Sequence, residues 1–294
     1  MQNCNKTPEF RRITLSDREK IEKIRIASGN LQYLYTFASL YIWQREEQYG
    51  ILIDGDSFLI KNGAEGERAY LFPCGSYEGK RRLIDKLLLL EEKPEFFSLT
   101  DEDKAFLEKE YPDKFEFSDR REEYSYIYDK KAQIELSGKE FKRIRHKVNT
   151  GRAAAESWNI EPISEKNIKR ALSVNELWAK SKGENELTDA PAAHTALSNY
   201  SELKMHGLLF NADGRDIAYI AGIFITPEIF DLAFCKVLDN KYDCFVKWYL
   251  YTELPKEVLT IDSEEDLGID GLREHKLFRR PVSLKRIWKG SFKL

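Results

Sequence analysis

The chain has 294 residues, of which 42% are apolar and 33% charged, and its formal net charge is −3. This length fits one large domain or two of ordinary size, and the charged fraction is typical of a soluble protein. The longest apolar stretch, residues 217–225, is far too short to span a bilayer. Because the N-terminus lacks the charged-then-apolar layout of a signal peptide, we expect a cytoplasmic protein.

The cysteines and histidines give no sign of a metal site. The four cysteines form no C-x-x-C pair, and the four histidines have no H-E-x-x-H spacing. The sequence also lacks a G-x-S-x-G nucleophile motif and a G-x-x-x-x-G-K-[ST] phosphate loop. We therefore expect reduced thiols, no metal ligands and no nucleophilic catalysis of these types.

The first half of the chain begins with helices and continues as strands that alternate with helices. The predicted elements are helices at 15–28 and 31–46, a hairpin at 50–63, the strand AYLFP, a helix at 79–92, the strand FFSL, a helix at 101–110 and the strand KFEF. In YSYIY, alternate tyrosines share one face, as in a further strand.

The second half repeats this order of elements without repeating the sequence. Its predicted elements are the strand WNIEPI, helices at 164–181 and after Pro191, a hairpin at 207–226, the strand FDLAFCKVLD, a helix at 242–254, the strand VLTID, a helix at 269–277 and a last strand, VSLKRIWKGSF. Two meanders, each followed by β-α-β crossovers, predict an α/β fold with two mixed sheets flanked by helices.

A basic segment, LSGKEFKRIRHKVN, lies between the two halves. Residues 139–152 contain six Lys or Arg and one Glu. Ser137 and Glu140 form a capping-box pattern that predicts a helix from Gly138, with Phe141, Ile144 and Val148 on its apolar side. We therefore divide the chain into residues 1–137, a connecting basic helix at 138–155, and residues 156–294.

The charge of this segment has two interpretations. Its basic groups could pair with surface acids on a solvated face. Alternatively, charge of nearly one sign in an acidic chain suits a polyanion such as tRNA or a phosphorylated small molecule. A helix start beside glycine and lysine can also hold a phosphate through its free N–H groups.

Three stretches, TFASLYIW, LSGKEFKRIRHKVN and IDSEEDLGIDGLREHK, resemble the phosphatidylglycerol lysyltransferase C-terminal-like family. That family includes many uncharacterised bacterial proteins and has tandem GNAT-like acyltransferase domains. The resemblance implies acyl-CoA or an aminoacyl-tRNA as donor and no metal. The residues it matches in the basic and late segments, with a lysine near FCKV, are Gly138, Lys139, Arg143, Asn149, Lys236, Glu264, Asp266, Gly268, Gly271, Leu272, Arg273 and Lys276.

The sequence departs from the family pattern at several positions. Asp262 and Ser263 stand where the family has Asn and Arg, and Cys235 stands where it usually has Glu. Asp243 and Tyr249 replace a Gly and an Asn of the following helix. These differences put a shared substrate in doubt and favour a binding protein if the residues line a cleft.

Two loops correspond to the place where GNAT enzymes hold coenzyme A. The second, KVLDNKYDCF, has no glycine and two acids that repel phosphate, so we expect no ordinary acetyl-CoA site there. In the first, CGSYEGKRR, Gly75, Ser76, Gly79 and Lys80 could form a small anion nest at a helix start. The alternative for this loop is an ordinary helix cap.

The resemblance and the charged residues together predict a transferase that moves an aminoacyl or acyl group to an amine or hydroxyl. Glu264 and Asp266 are the candidate catalytic acids, while Lys142, Arg143, Arg273 and Lys276 are candidate ligands of the donor. The alternative for residues 263–276 is a cap, with Asp266 on the first turn, and a salt-bridge network. The rival functions are a non-catalytic protein that binds tRNA or an anionic metabolite, and a purely structural use of the fold. Transient contact with a membrane surface also fits the resemblance, and the oligomeric state stays open.

Overall fold

The computed structural model describes residues 9–66, 68–183 and 188–293. Within these residues the chain forms two compact units. Unit 1 runs to residue 124 and includes the C-terminal segment from residue 285, and unit 2 comprises residues 125–284.

Unit 1 contains a mixed sheet that begins as a meander. In the described part of the chain its six strands lie in the order β1-β2-β3-β4-β13-β5. They are β1 (Tyr49–Asp54), β2 (Ser57–Asn62), β3 (Ala69–Gly75), β4 (Glu95–Leu99), β5 (Phe115–Asp119) and the last strand of the chain, β13 (Trp288–Phe292). Neighbouring strands are antiparallel except β3 and β4, which are parallel.

Unit 1 has four α-helices among the described residues, and the side chains of Thr36, Ser76 and Thr100 cap the second, third and fourth of them. They are α1 (Arg18–Ala27), α2 (Phe37–Trp43), α3 (Tyr77–Leu88) and α4 (Asp101–Glu110). The α3 helix provides the crossover between β3 and β4 and buries Leu83, Ile84 and Leu87. These side chains join a core with aromatic residues of the sheet such as Tyr70 and Phe96.

Unit 2 contains a larger mixed sheet, in which antiparallel strands are again followed by a crossover to a parallel strand. Among the described residues its seven strands lie in the order β12-β6-β11-β10-β9-β8-β7. They are β6 (Ser125–Asp129), β7 (Asn159–Pro162), β8 (His206–Ala212), β9 (Arg215–Thr226), β10 (Ile229–Val237), β11 (Thr260–Asp262) and β12 (Ser283–Lys285). Strands β7 to β10 form an antiparallel meander, and β10 is parallel to β11.

The helices of unit 2 are α5 (Lys130–Glu135), α6 (Lys142–Ala154), α7 (Ile168–Lys182), α8 (Ala190–Ser198), α9 (Asp243–Glu253) and α10 (Asp270–Phe278). The α9 helix connects β10 to β11, and its Phe245, Val246 and Leu250 belong to the core of the unit. A Cβ atom added to Gly151 of α6 would lie 2.3 Å from Cβ of Phe245, so the absence of a side chain allows α6 to pack closely on α9. The α/β fold class with two mixed sheets flanked by helices is confirmed.

The two units differ from the predicted division of the chain. Tyr126 and Tyr128 of β6 are 0% and 1% exposed in the core of unit 2, although they precede residue 137. The predicted connecting helix, α6, also lies within unit 2, where Phe141, Ile144 and Val148 are buried as predicted. The packing of these apolar side chains therefore assigns the whole segment from residue 125 to the second unit.

The predicted last strand is two strands in different sheets. Residues 283–285 form β12 beside β6, and β13 inserts between β4 and β5 of unit 1. The apolar pattern predicted strand conformation correctly, but pairing partners distant in sequence leave no local signal.

The basic helix begins at Lys142, four residues after its predicted start at Gly138. Leu136 and Gly138 have positive φ angles of 49° and 87°, and the Arg145 guanidinium donates to both of their carbonyl oxygens. This turn replaces the predicted capping box, and Phe141 is the N-cap residue.

Candidate functional site

Buried acids mark the point where the parallel strands β10 and β11 lie side by side. Asp231 of β10 pairs in register with Asp262, the last residue of β11, and the two are 1% and 0% exposed. An Oδ1 oxygen of Asp262 accepts a hydrogen bond from the backbone N–H of Glu264 at 3.0 Å. Strand ends beside a parallel pair are common positions for binding sites in α/β proteins.

Glu264 is a half-buried acid held in an unusual backbone conformation. Its φ angle is 57°, in the left-handed region that residues other than glycine rarely adopt. The backbone N–H of Tyr126 donates to its carbonyl oxygen at 3.1 Å, which helps to fix this conformation. Strain of this kind concentrates at functional sites, although it does not identify the function.

The electrostatic surroundings of Glu264 favour its neutral form. Burial raises the pKa of the Glu264 carboxyl well above its usual range, and the nearby acids Asp231, Glu265 and Asp262 raise it further. Lys276 opposes this shift. A carboxyl group with a raised pKa can accept a proton near neutral pH, as a general base must.

Two buried lysines interact electrostatically with Glu264. Lys276 is 8% exposed, and its Nζ donates to the carbonyl oxygen of Ser263 and lies 5.6 Å from the centroid of the Tyr126 ring. Burial lowers the pKa of Lys276, while the charge of Glu264 acts in the opposite direction. The structure therefore brings the predicted residues Glu264 and Lys276 together.

Lys236 is the second of these lysines. It is 3% exposed, forms an ion pair with Asp189, and has its Nζ 3.7 Å from the centroid of the Trp178 ring. Burial lowers the pKa of Lys236, and Asp189 and Glu264 raise it. Its ammonium group is thus held by a carboxylate and an aromatic face.

Asp266 and Arg273 form a closed structural unit beside Glu264. The Asp266 carboxylate is 0% exposed and accepts hydrogen bonds from Arg273 Nε (2.9 Å) and Nη2 (2.8 Å), the Tyr126 hydroxyl (2.6 Å) and the Gly268 N–H (2.9 Å). Although burial favours the neutral acid, the hydrogen bonds from Arg273, Tyr126 and Gly268 outweigh it and lower the pKa of Asp266.

This geometry commits the Asp266 carboxylate to Arg273, Tyr126 and Gly268. Asp266 does not cap α10, because its side chain bonds Gly268 and the N-cap residue is Ile269. The salt-bridge network expected as the alternative is present and ties the segment that carries Glu264 to α10.

The positions that depart from the family pattern form a second charged network in unit 2. Asp243 Oδ1 accepts from Lys247 Nζ at 2.5 Å, His275 Nε2 lies 3.3 Å from Asp243 Oδ2, and Cys235 Sγ lies 3.9 Å from Asp243 Oδ1. Burial opposes ionisation of Asp243, but Lys247 and His275 outweigh it and lower its pKa. Tyr249 instead packs its ring on Phe210 and Phe245.

The exposed side of α6 carries positive charge without acidic partners. Lys139, Lys142, Arg143 and Lys147 are exposed, and none of them forms an ion pair within the described parts of the chain. Arg143 and Lys147 lie over the Phe278 ring, at 5.5 and 5.4 Å from its centroid. Asn149 is exposed on the same helix. Of the two interpretations of this segment, pairing with surface acids is not seen for these four side chains among the described residues.

The predicted anion nest in unit 1 has the geometry of a helix cap. The Ser76 hydroxyl accepts from the N–H of Gly79 at 3.0 Å, and Lys80 pairs with Asp103 at 3.2 Å. A Cβ atom at Gly75 or Gly79 would lie within 3 Å of Ser57, so both glycines serve close packing. The Gly79 N–H and the Lys80 ammonium, which an anion would need as ligands, are therefore already engaged within the protein.

Sequence reasoning did not identify Asp231, Asp189 and Trp178 as members of the site. Asp231 had a visible signal, since it is an acid inside the apolar strand IFDLAFCKV. Asp189 and Trp178 had none, because they reach Lys236 from helical segments distant in sequence. Within the described residues no cluster of three or more His, Cys, Asp or Glu could hold a metal ion. None of the described helices has the length and apolar character needed to cross a bilayer.

Comparison with solved structures identifies a GNAT-like fold. The chain is similar to a conserved protein of unknown function from Bacteroides thetaiotaomicron, with 26% identity, coverage of 97% of this chain and 99% of that chain, and a TM-score of 0.87. It is also similar in fold to L-PGS from Bacillus licheniformis (13% identity, 98% and 93% coverage, TM-score 0.66) and to FemX (10%, 97% and 97%, 0.60).

A match in sequence shows the family to which the chain belongs. Residues 29–231 match the family described as phosphatidylglycerol lysyltransferase, C-terminal, and the chain belongs to that family. This match confirms the predicted resemblance and ends at Asp231, before the segment that contains Glu264. No curated protein sequence matches the chain.

Proposed function

We propose that this protein transfers an aminoacyl group from an aminoacyl-tRNA to an amine or hydroxyl acceptor, with Glu264 as the proton acceptor. The observation that carries the proposal is the Glu264 carboxyl group at the end of β11, whose pKa is raised by burial and by the acids Asp231, Glu265 and Asp262, against the opposing charge of Lys276. Membership in the phosphatidylglycerol lysyltransferase family supports an aminoacyl or acyl transferase.

The chemistry requires a base and a group that stabilises negative charge. The acceptor nitrogen or oxygen attacks the carbonyl carbon of the donor ester while the Glu264 carboxylate removes the proton from the acceptor. The tetrahedral intermediate then loses the ribose oxygen, which takes the proton from Glu264. The acceptor–carbonyl bond has formed and the ester bond has broken. Lys276 supplies positive charge beside the developing oxyanion.

The exposed charge of α6 supports a tRNA donor over acyl-CoA. Four exposed cations, Lys139 in the preceding turn and Lys142, Arg143 and Lys147 on α6, have no acidic partner among the described residues and provide contacts for phosphates of the RNA backbone. The loop after β10 fits coenzyme A poorly, because Asp239 lies there and pairs with Lys241. An acyl-CoA donor is the alternative, and the acceptor amine or hydroxyl can belong to a soluble molecule or a lipid headgroup.

The proposal is tested by following a labelled aminoacyl group on charged tRNA. Wild-type protein is expected to bind the tRNA and move the label to an amine acceptor, and Glu264→Gln is expected to bind but to transfer at least about 100 times more slowly. The Glu265→Gln variant removes the neighbouring acid and is the matched control. Binding of charged tRNA without any transfer by wild-type protein, with no acyl transfer from acyl-CoA, would instead indicate a non-catalytic binding protein.

A further inference from the structure

Unit 1 contains a concave pocket that is separate from the groups described above. Its volume is about 670 Å³, within the range of about 300–1,000 Å³ common for small-molecule sites. It lies at the edge of the sheet, where the backbone of Arg11 pairs with Ile51 of β1. The rings of Phe10 and Tyr49 contribute to its lining.

The pocket is lined by cations without carboxylates. Among its lining residues are Arg11, Arg12, Arg45 and Lys61, and no Asp or Glu is present among them. Arg11 is committed to Asp17, with Nη2 and Oδ1 2.6 Å apart. Arg12, Arg45 and Lys61 form no ion pair with any residue that the structure describes, and the only polar contact of the Arg12 guanidinium there is the Gln44 side-chain oxygen at 3.4 Å.

The pocket wall also contains a strained residue. Gln48 has a φ angle of 51°, which residues other than glycine rarely adopt. Its backbone carbonyl accepts from the N–H of Gly63, and a Cβ atom on Gly63 would lie 3.0 Å from Cβ of Gln48. The turn before β1 and the end of β2 are therefore held close together, which brings the backbone segments that carry Arg45 and Lys61 to the same pocket.

We propose that this pocket binds a small molecule carrying two or more phosphate groups. Arg12, Arg45 and Lys61 line the same pocket with no Asp or Glu among its lining residues, and a multiply charged anion would offset their like charge. Guanidinium groups such as those of Arg12 and Arg45 bind phosphate through paired hydrogen bonds, and Lys61 adds a point charge. A single phosphate cannot satisfy three separate cations, so the assignment is to di- and triphosphates.

Calorimetric titration of the full chain with inorganic triphosphate and with ATP tests this assignment. Both probes are expected to bind at low salt, and orthophosphate is expected to bind at least about tenfold more weakly. The double variant Arg45→Ala/Lys61→Ala should lower triphosphate affinity by at least about tenfold, because it removes two charge-assisted contacts. Its thermal unfolding should match that of the wild type, since neither side chain forms an ion pair with any residue in the described parts of the chain.

Two controls separate the pocket from general attraction to a basic surface. Lys20→Ala/Lys23→Ala removes two exposed cations of α1, and Lys166→Ala removes an exposed cation of unit 2 that precedes α7. Both should leave triphosphate affinity unchanged. The assignment is overturned if these controls weaken binding as much as the pocket variant, or if triphosphate shows no binding at millimolar concentration. It is also overturned if a short RNA binds the pocket better than triphosphate does.

Discussion

Replacing Asp266 with Asn tests whether this acid serves the fold. The carboxylate is 0% exposed and accepts two hydrogen bonds from Arg273, one from Tyr126 and one from Gly268. Asparagine has nearly the same size, but it loses the charge and turns an NH₂ group toward one of these donors. Breaking a buried charge pair costs about 3–5 kcal/mol. Because the Arg273 side chain is 31% exposed, we expect a cost at the lower end, about 3 kcal/mol.

The assay is thermal unfolding as a function of pH. For a domain of this size a loss of about 3 kcal/mol lowers the melting temperature by about 6–12 °C at pH 7. Since the pKa of Asp266 is lowered in the folded protein, its stabilisation is present above the unfolded pKa of about 4 and disappears as the pH falls below it. The difference between wild type and Asp266→Asn should therefore shrink between about pH 5 and pH 3.

The control is Asp270→Asn, which changes an exposed acid in the first turn of α10. It should shift the melting temperature by less than about 2 °C. The reasoning is refuted if Asp266→Asn melts within about 1 °C of the wild type at pH 7, because the predicted shift is several times larger. A difference that stays constant from pH 5 to pH 3 would also refute it.

Three further predictions concern other parts of unit 2. Glu264→Gln should gain stability relative to the wild type as pH rises above about 4.5, because the raised pKa of Glu264 favours the neutral acid in the folded state; a difference in unfolding free energy that is independent of pH contradicts this. Lys142→Glu/Arg143→Glu should weaken tRNA binding and flatten its salt dependence, measured by titration at several salt concentrations; unchanged affinity would make α6 a solvated surface. Gly151→Ala should destabilise by about 1–3 kcal/mol in denaturant unfolding, whereas Gly271→Ala, whose Cβ meets no atom within 4 Å, should not; equal effects would refute the close packing of α6 on α9.

The fold class could be predicted because its signals are local. Apolar periodicity located the helices and strands of both meanders, and the alternate tyrosines of YSYIY correctly predicted β6. The same pattern did not reveal that β6 belongs to unit 2 and β13 to unit 1. Strand pairing of this kind depends on buried faces far apart in sequence, which a single chain does not display.

The candidate site was predicted in part for the same reason. Glu264 and Lys276 lie within one segment, so their proximity followed from a strand end leading into a helix. A salt-bridge network was foreseen as an alternative, but Asp266 was expected as a helix cap and its pairing with Arg273 was not foreseen, because spacing does not decide which acid faces a neighbouring guanidinium. The contact of Lys236 with Asp189 and Trp178 depends on tertiary packing.

The most direct test of the proposed transferase is the pH dependence of single-turnover transfer from charged tRNA to an amine acceptor. The account predicts a transfer rate that rises with pH as a group with a pKa well above 4.5 ionises. Glu264→Gln should lose both this pH dependence and most of the transfer activity, whereas Glu265→Gln should keep both. Transfer by Glu264→Gln at the wild-type rate and with the wild-type pH profile would contradict it.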